Sequence, residues 1–373
     1  MTMNKREGLL ATIRGKEADR IPFLQEWPYL PNGEAELEAR NMGLSLYYRM
    51  PAYTEVRPNV KVTRVEVPGE AVRIQYDTPA GSVWQPFHPR TFTGTMQGVH
   101  DYKGIGSYLT GGMVKEPGDY EVLKFIAGDA EYAPHYEAIQ DFREILGDEG
   151  IVMTFKGDIG FHAPYTTLLI DWVGAKRLII DQYRHPELVE EVLDVLASSQ
   201  RKFWPYFVDA PADMIMYGDH IDDKFITPSN FEKYILPFHN DFCRLAHSRG
   251  KYTCIHCDGG LARLRDLIAE LEHDVIHAIT PPPVGNLDIA EALEAWPDKV
   301  LWVNYEYHSL GPKALKKHLL ALLESMVPGH RVVMDVSTER WVPLDTLRMF
   351  SRIMSRCTLP LTEKKIQSIR RSV

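Results

Sequence analysis

Short, mostly apolar runs alternate with longer amphipathic stretches along most of the chain. Apolar runs of this length are typical of strands that are covered on both faces, as in a parallel sheet. They lie at residues 21–27, 151–157, 213–219, 251–258, 274–280, 299–305 and 331–337. Amphipathic helices, several opened by Pro or by a Ser, Thr or Asp cap, are predicted at residues 5–14, 186–199, 228–249, 261–271, 287–295 and 312–326.

Strands and helices that alternate over this length predict an α/β fold, specifically a (β/α)8 TIM barrel. Seven strands are identifiable, and the eighth is expected within residues 56–90. The pattern of that segment differs, because a strictly alternating run at 59–67 and a second run at 72–77 flank a Pro-Gly turn. We therefore predict a single domain over residues 1–373, with an antiparallel hairpin inserted around residues 56–90.

Composition narrows the class of partner. The chain has 373 residues, 45% of them apolar and 25% charged, with a net charge of −9, as in an ordinary globular protein. An acidic balance without a clustered Lys/Arg run argues against nucleic acid or an anionic membrane as partner. No apolar run reaches the roughly 20 residues that span a bilayer, and the N-terminus lacks a signal-peptide core. Together with only four cysteines, these features predict a cytoplasmic protein.

Polar side chains stand at the ends of most predicted strands, which in a barrel converge on one catalytic rim. Strand 251–258 ends in His256 and Asp258, and its alternation places Cys254 on their face and Cys257 on the other. An imidazole beside a carboxylate at this rim predicts an enzyme site. The other strand-end groups are Gln25, Glu26, Lys156, Asp158, His162, Tyr217, Asp219, His220, Asp222, Asp223, His277, Thr280, Asn304, Glu306, His308, Asp335 and Ser337.

Several of these side chains could hold a metal ion, because a borderline-soft cation such as Zn²⁺ accepts imidazole nitrogen and carboxylate oxygen. The candidates are His256, Asp258, Glu306, His308, Asp219, His220 and Asp335. We select His256, Asp258 and Glu306 as the ligands of a Lewis-acid cation. The same groups could instead form a hydrogen-bonded rim without metal, since the chain has no compact signature such as His-Glu-x-x-His.

Three segments resemble the uroporphyrinogen decarboxylase superfamily. They are the opening Met3-Asn-Lys-Arg-Glu-Gly-Leu-Leu-Ala-Thr-Ile-Arg-Gly-Lys-Glu-Ala-Asp-Arg-Ile-Pro-Phe23, the helix opener Ile226-Thr-Pro-Ser-Asn-Phe-Glu-Lys-Tyr-Ile-Leu-Pro237 and the strand end His256-Cys-Asp-Gly259. The resemblance covers nearly the whole chain in the same order and includes residues 117–124. It implies a (β/α)8 barrel with its site at the C-terminal rim.

Two chemistries occur in this superfamily. True uroporphyrinogen decarboxylases hold a polycarboxylate substrate with an Arg-rich Met-Arg-Gln-Ala-Gly-Arg motif after the first strand. Here the equivalent stretch is Phe23-Leu-Gln-Glu-Trp-Pro28, with an acid in place of the arginines, so charge argues against porphyrinogen decarboxylation. The chain is more similar to the corrinoid-dependent methyltransferases, particularly the methyltransferase components of O-demethylase systems, which share the hairpin around Tyr76-Asp-Thr-Pro-Ala-Gly81.

Methyltransferases of that branch often bind zinc through a His-x-Cys-Gly pair and a later Cys. In this chain His256 matches the histidine, but Asp258 replaces the first cysteine and Met334-Asp-Val-Ser337 stands near the second. Loss of two thiolates argues against activation of a thiol acceptor such as coenzyme M. A site of nitrogen and oxygen ligands, or one without metal, suits an ether or amine donor, whose leaving group needs a Lewis acid or a proton.

The resemblance thus implies a methyltransferase that moves a methyl group from a small methoxylated or methylated substrate to a corrinoid protein. The catalytic candidates are His256, Asp258, Glu306 and Asp335, and the substrate-binding candidates are Asp158, Tyr217, Asp219, His220 and His308. The corrinoid is expected on a partner protein, because the chain has no Asp-x-His-x-x-Gly motif. Relatives are often dimers, which implies a homodimer.

Two other functions are compatible with the sequence. A lyase, such as a decarboxylase of a small carboxylate, would need a cationic pocket, for which Lys156, Arg90 and Arg177 are the candidates. The third alternative is a barrel that binds a small molecule without catalysis.

Overall fold

The structure is a computed structural model that describes residues 3–31, 33–65, 72–87, 112–155, 162–305, 310, 312–336 and 341–372. Its strands are β1 Phe23–Glu26, β2 Ser45–Pro51, β3 Tyr53–Val56, β4 Lys61–Val65, β5 Val72–Thr78, β6 Gly81–Phe87, β7 Glu131–Pro134, β8 Gly150–Phe155, β9 Met214–Tyr217, β10 Thr253–His256, β11 Val275–Ile279, β12 Val300–Asn304 and β13 Val332–Asp335.

Helices occupy most of the connections between these strands. They are α1 Lys5–Ile13, α2 Glu34–Asn41, α3 Asp119–Gly128, α4 Glu137–Leu146, α5 Pro164–Thr166, α6 Ala175–Arg184, α7 Pro186–Asp209, α8 Pro228–Asn230, α9 Leu236–Ser248, α10 Arg265–Ala269, α11 Ile289–Ala295, α12 Pro312–Ser325, α13 Leu344–Met354 and α14 Glu363–Ser372. Two π-helical segments, Thr167–Trp172 and Phe231–Ile235, follow α5 and α8. In the described ranges, no helix combines the length and apolar character that a bilayer crossing requires.

Eight parallel strands close into a barrel in the order β1-β13-β12-β11-β10-β9-β8-β2, which confirms the predicted (β/α)8 fold. The seven strands predicted from apolar runs are all present, as β1 and β8 to β13. Almost every residue in them is buried, as expected of strands with the barrel interior on one face and helices on the other. The predicted helices appear as α1, α7 and the segments from α8 to α12.

The eighth barrel strand is β2, which pairs with β1 and β8. The prediction that it lies within residues 56–90 is therefore wrong. This strand lacks a continuous apolar run because its inward positions include Tyr47 and Arg49. Arg49 is buried in a bidentate ion pair with Glu26 of β1, at 2.8 and 2.7 Å. Glu26 on the neighbouring strand thus supplies the opposite charge that a buried guanidinium requires.

Contacts between residues group the chain into two compact units. The first comprises Met1–Pro51, Tyr136–Phe155 and Ala210–Val373 and contains all eight barrel strands. The second comprises Ala52–His135 and Lys156–Asp209. A single domain over residues 1–373 stays a prediction.

The second unit contains the hairpin that alternation predicts. Strands β4 and β5 pair antiparallel, with Lys61 opposite Asp77, and β5 pairs in turn with β6. Strand β6 was not predicted from the sequence; it returns after a tight turn that places Gly81 at a φ of +131°, a conformation that favours glycine. Strands β3 and β7 form a separate antiparallel pair in this unit.

Candidate active site

The first two members of the site come from the end of β10. His256 is the last residue of that strand, with its side chain 7% exposed, and Asp258 follows two positions later. Nε2 of His256 lies 3.5 Å from Oδ2 of Asp258. The predicted pairing of an imidazole and a carboxylate at this strand end is confirmed.

His220, in the loop after β9, is the third member. Its Nδ1 lies 2.9 Å from Oδ1 of Asp258, so the carboxylate stands between two imidazoles. The rings of His220 and His256 are nearly parallel, with an interplanar angle of 21° and centroids 6.4 Å apart. One nitrogen or oxygen from each of the three residues lies within 4.8 Å of the other two. We call these three residues the rim cluster.

The rim cluster carries separated charge at neutral pH. Burial disfavours the Asp258 carboxylate, but the neighbouring His256 and His220 hold its pKa well below the usual range. Burial likewise disfavours a charged His220, yet the Asp258 carboxylate raises its pKa to about 9. His220 is therefore an imidazolium at pH 7 when no other cation is present, and Asp258 is ionised.

Hydrogen bonds between the loops after β9 and β10 bring the rim cluster together. The backbone N–H of Gly259 donates to the carbonyl of Ile221 at 3.2 Å, and that of Gly260 donates to Asp222 Oδ1, also at 3.2 Å. A Cβ on Gly259 would lie only 2.3 Å from Cβ of Asp222, so the close approach of the loops requires glycine. Asp223 accepts a further bond from the backbone N–H of Arg263.

Beneath the rim cluster, a series of aromatic and polar side chains in contact with one another occupies the barrel interior. Nδ1 of His256 lies 2.9 Å from Nδ1 of the fully buried His277. The His277 ring packs against Trp302 and Tyr47, with centroids 5.0 and 6.3 Å away. Tyr47 Oη and Trp302 Nε1 both donate to Oδ2 of Asp335, at 2.9 and 3.1 Å.

Asp335, a predicted catalytic residue, is therefore at the inner end of this series of side chains. It is fully buried and reaches the rim cluster through Tyr47, Trp302 and His277. Burial and the Asp335 carboxylate raise the pKa of Tyr47 well above its usual value, so the phenol keeps its proton and donates it. This arrangement anchors two rings, and a catalytic role for Asp335 stays a prediction.

Tyr217 and Asp219, two predicted substrate-binding residues, face the helices. Tyr217 is paired in register with Ile255, the residue between Cys254 and His256, so it points away from the barrel interior. Its ring packs on Phe238 and Phe242 of α9. Both side chains are fully buried, and Asp219 Oδ2 accepts a hydrogen bond from His239 Nε2 at 2.9 Å.

The structure thus brings together three of the predicted site residues in the rim cluster. Three others, Asp335, Tyr217 and Asp219, have fully buried side chains outside that cluster. The remaining predictions, Asp158, Glu306 and His308, lie outside the described residues. His277 and Tyr47 were not selected from the sequence. His277 had one signal, its position at a strand end, whereas Tyr47 lies on the strand that the apolar pattern did not reveal.

The chain is similar to known proteins in both sequence and structure. The family model of uroporphyrinogen decarboxylase (URO-D) matches residues 97–285, a segment that includes the rim cluster and His277. No curated protein matches the sequence. A solved methyltransferase from Methanosarcina mazei is 15% identical and has a TM-score of 0.53, with 93% of this chain and 97% of that chain covered. This likeness shows a shared fold.

A second solved structure has weaker similarity. It is a putative vitamin-B12 independent methionine synthase from Listeria monocytogenes, which is 15% identical over 64% of this chain and 68% of that chain. Its TM-score of 0.35 is too low to support an argument.

Proposed function

This chain belongs to the uroporphyrinogen decarboxylase family, and on that premise we propose that it is a methyltransferase. It would move a methyl group from a small methoxylated or methylated donor to a corrinoid carried by a partner protein. The observation that carries the proposal is the rim cluster, in which His220, His256 and Asp258 converge at the C-terminal ends of β9 and β10.

The rim cluster fits a divalent cation such as Zn²⁺. Two imidazoles and one carboxylate are ligands that this ion accepts, and three protein ligands are typical of its catalytic sites. Ligand atoms within 4.8 Å of one another need only small side-chain movements to converge on one ion. His220 joins His256 and Asp258 in this set, and Glu306 stays a prediction because it lies outside the described residues.

The methyl–heteroatom bond of the donor would break with its electron pair left on the oxygen or nitrogen. A cation held by the rim cluster would supply a Lewis acid for that heteroatom, and the partner's corrinoid would accept the methyl group. Asp258 contacts both imidazoles and would orient them toward the bound heteroatom. In a site without metal, the His220 imidazolium is the group that can donate a proton to the leaving atom.

The state of the cysteines argues against activation of a thiol as the methyl acceptor. Cys254 and Cys257, which flank His256 in the sequence, are buried and free. Burial raises the pKa of both thiols well above the usual value, so neither is a thiolate in the metal-free protein. Activation of a thiol acceptor would need such a soft ligand.

The decarboxylase alternative has less support from the described residues. Three positively charged side chains were candidates for its substrate pocket. Arg177 binds Asp181 at 2.5 Å, and Lys156 and Arg90 lie outside the described residues. Arg49, at the barrel interior, is bound at two nitrogens by Glu26. A small carboxylate substrate would compete with these acidic partners.

A methyl-transfer assay tests the proposal. The purified protein is incubated with methoxylated aromatic compounds or methylamines and with cob(I)alamin, and formation of methylcobalamin is followed by absorbance. We expect turnover that is lost in His256→Ala and Asp258→Asn but kept in His247→Ala, which removes an exposed histidine paired with Asp274 at 3.0 Å. Unchanged turnover in the two cluster variants, or release of CO₂ from small carboxylates instead, would contradict it.

A homodimer and a cytoplasmic location are further proposals.

A further inference from the structure

His256 and His277 form a ring-to-ring hydrogen bond inside the barrel. Their Nδ1 atoms are 2.9 Å apart, and the ring centroids are 5.1 Å apart. A hydrogen bond between two imidazole nitrogens requires a proton on one of them and a lone pair on the other. The direction of this bond therefore determines which nitrogen of His256 carries a proton.

The direction of the bond matters because Nε2 of His256 faces Asp258. If His277 donates, a neutral His256 carries its proton on Nε2, and that nitrogen cannot bind a cation. If His256 donates from Nδ1, its Nε2 keeps a lone pair directed to the rim cluster. Only the second arrangement allows His256 to be a metal ligand.

His277 is suited to accept this bond. It is fully buried, where a charged ring is costly, and its Nδ1 lies 2.9 Å from Nδ1 of His256. A neutral ring always has one nitrogen with a lone pair. As acceptor at Nδ1, His277 carries its single proton on Nε2, for which the described residues offer no hydrogen-bond partner.

The His277 ring is also held in place from several sides. Tyr47 and Trp302 pack against it, and Asp335 anchors both of those side chains. The strand register shifts between His277 and Ile279, and Ala278 between them has a φ of +62°. Residues with a Cβ rarely adopt such a φ, and strained positions of this kind cluster at functional sites.

We propose that His277 is a positioning residue for a metal ligand: it accepts the Nδ1–H of His256 and so directs an unprotonated Nε2 to the cation. This inference rests on the proposed function, because it assumes a cation at the rim cluster. Metal-bound histidines more often donate to a carboxylate, a backbone carbonyl or water. A neutral imidazole in that place adds no negative charge, so Asp258 is the one anionic group in the described cluster, and the cation keeps more of its Lewis acidity.

Zinc affinity of two His277 variants tests the proposal. His277→Leu removes the acceptor, whereas His277→Asn keeps an acceptor oxygen close to the position of Nδ1. We expect His277→Leu to bind Zn²⁺ about 10- to 100-fold more weakly, in a competition with a chromophoric chelator, and His277→Asn to bind close to wild type. Wild-type affinity in His277→Leu would overturn the proposal.

The chain offers a matched control at His273. His273 is also buried and forms a 2.9 Å ring-to-ring bond, in this case from Nε2 to Nδ1 of His239. His273→Leu therefore removes a comparable buried bond outside the rim cluster and should leave zinc affinity unchanged. Equal losses in His273→Leu and His277→Leu would mean a general loss of stability and would overturn the specific role of His277.

A spectroscopic readout separates this proposal from the proposed function. In the zinc-loaded wild-type protein labelled with ¹⁵N-histidine, NMR should show the His256 proton on Nδ1 and the metal on Nε2. Metal on Nδ1 would overturn the role of His277 alone. Failure of the wild-type protein to bind Zn²⁺ would overturn the metal-assisted function, and this inference with it.

Discussion

Nδ1 of His220 lies 2.9 Å from Oδ1 of Asp258, although the two residues belong to loops that follow different barrel strands. The contact completes a group in which one carboxylate joins two imidazoles, because Asp258 also contacts His256. Neither β9 nor β10 alone supplies such a group. The site therefore depends on the hydrogen bonds that hold the two loops together, such as that from Gly260 to Asp222.

Zinc binding should release a proton from His220. Its pKa of about 9 means that the ring is protonated at pH 7, and it must become neutral before it can bind a metal ion. Asp258 is already ionised and contributes no proton. Isothermal titration calorimetry at pH 7, in buffers of different ionisation enthalpy, should report release of about one proton per zinc. His220→Gln should bind more weakly and release almost none, and a wild-type titration without release would exclude His220 as a ligand.

The same ion pair predicts how the stability of the metal-free protein changes with pH. The pKa of His220 is raised from 6.5 to about 9, so its stabilising contribution is complete below about 6.5 and is lost as pH rises to about 9. Thermal unfolding of wild type and of His220→Gln, from pH 6 to 10, measures this contribution. The difference in Tm should shrink over that interval. A constant difference would show that the contact with Asp258 does not stabilise the charged ring.

The buried Arg49–Glu26 pair should be essential for stability. Arg49→Met leaves the Glu26 carboxylate buried without its guanidinium partner, a change that typically costs about 3–5 kcal/mol. Urea unfolding should show a loss of this size, and the double variant Arg49→Met with Glu26→Gln should recover part of it. Arg244→Met, at an exposed pair with Glu272, is the control and should cost less than about 1 kcal/mol. Similar losses at both pairs would contradict this account.

Gly259 should tolerate no side chain, because the loops after β9 and β10 approach each other there. A Cβ would lie 2.3 Å from Cβ of Asp222, so Gly259→Ala must separate the two loops and move Asp258 relative to His220. We expect weaker zinc binding by Gly259→Ala. Gly8→Ala, in α1 where a Cβ meets no atom within 4 Å, should bind zinc as wild type does. Unchanged affinity in Gly259→Ala would show that the loop spacing does not set the site.

The apolar pattern of the sequence predicted most of the barrel but not β2. Strands buried on both faces form mostly apolar runs, and seven of the eight do so. β2 instead carries Tyr47 and Arg49 at inward positions. There Tyr47 donates a hydrogen bond to Asp335 of β13, and Arg49 forms an ion pair with Glu26 of β1. These pairs join residues far apart in the sequence, so no local pattern could reveal them.

The alternation of side chains along β10 was enough to place His256 beside Asp258. Along β9 the sequence does not show which residues face inward, because Met214 to Tyr217 are uniformly apolar and all buried. Register with β10 settles this: Met216 pairs with Cys254 and faces inward, whereas Tyr217 faces α9. His220 follows the strand in a loop, where alternation no longer applies, and its contact with Asp258 depends on hydrogen bonds between loops.

Zinc content of the purified protein tests the central claim most directly. Elemental analysis of wild type, His256→Ala and His247→Ala should find close to one zinc per chain in the first and third and almost none in the second. His247 is a suitable control because it also pairs with a carboxylate, that of Asp274, but lies outside the rim cluster. Zinc retained in His256→Ala, or absent from all three proteins, would contradict a metal centre at His220, His256 and Asp258.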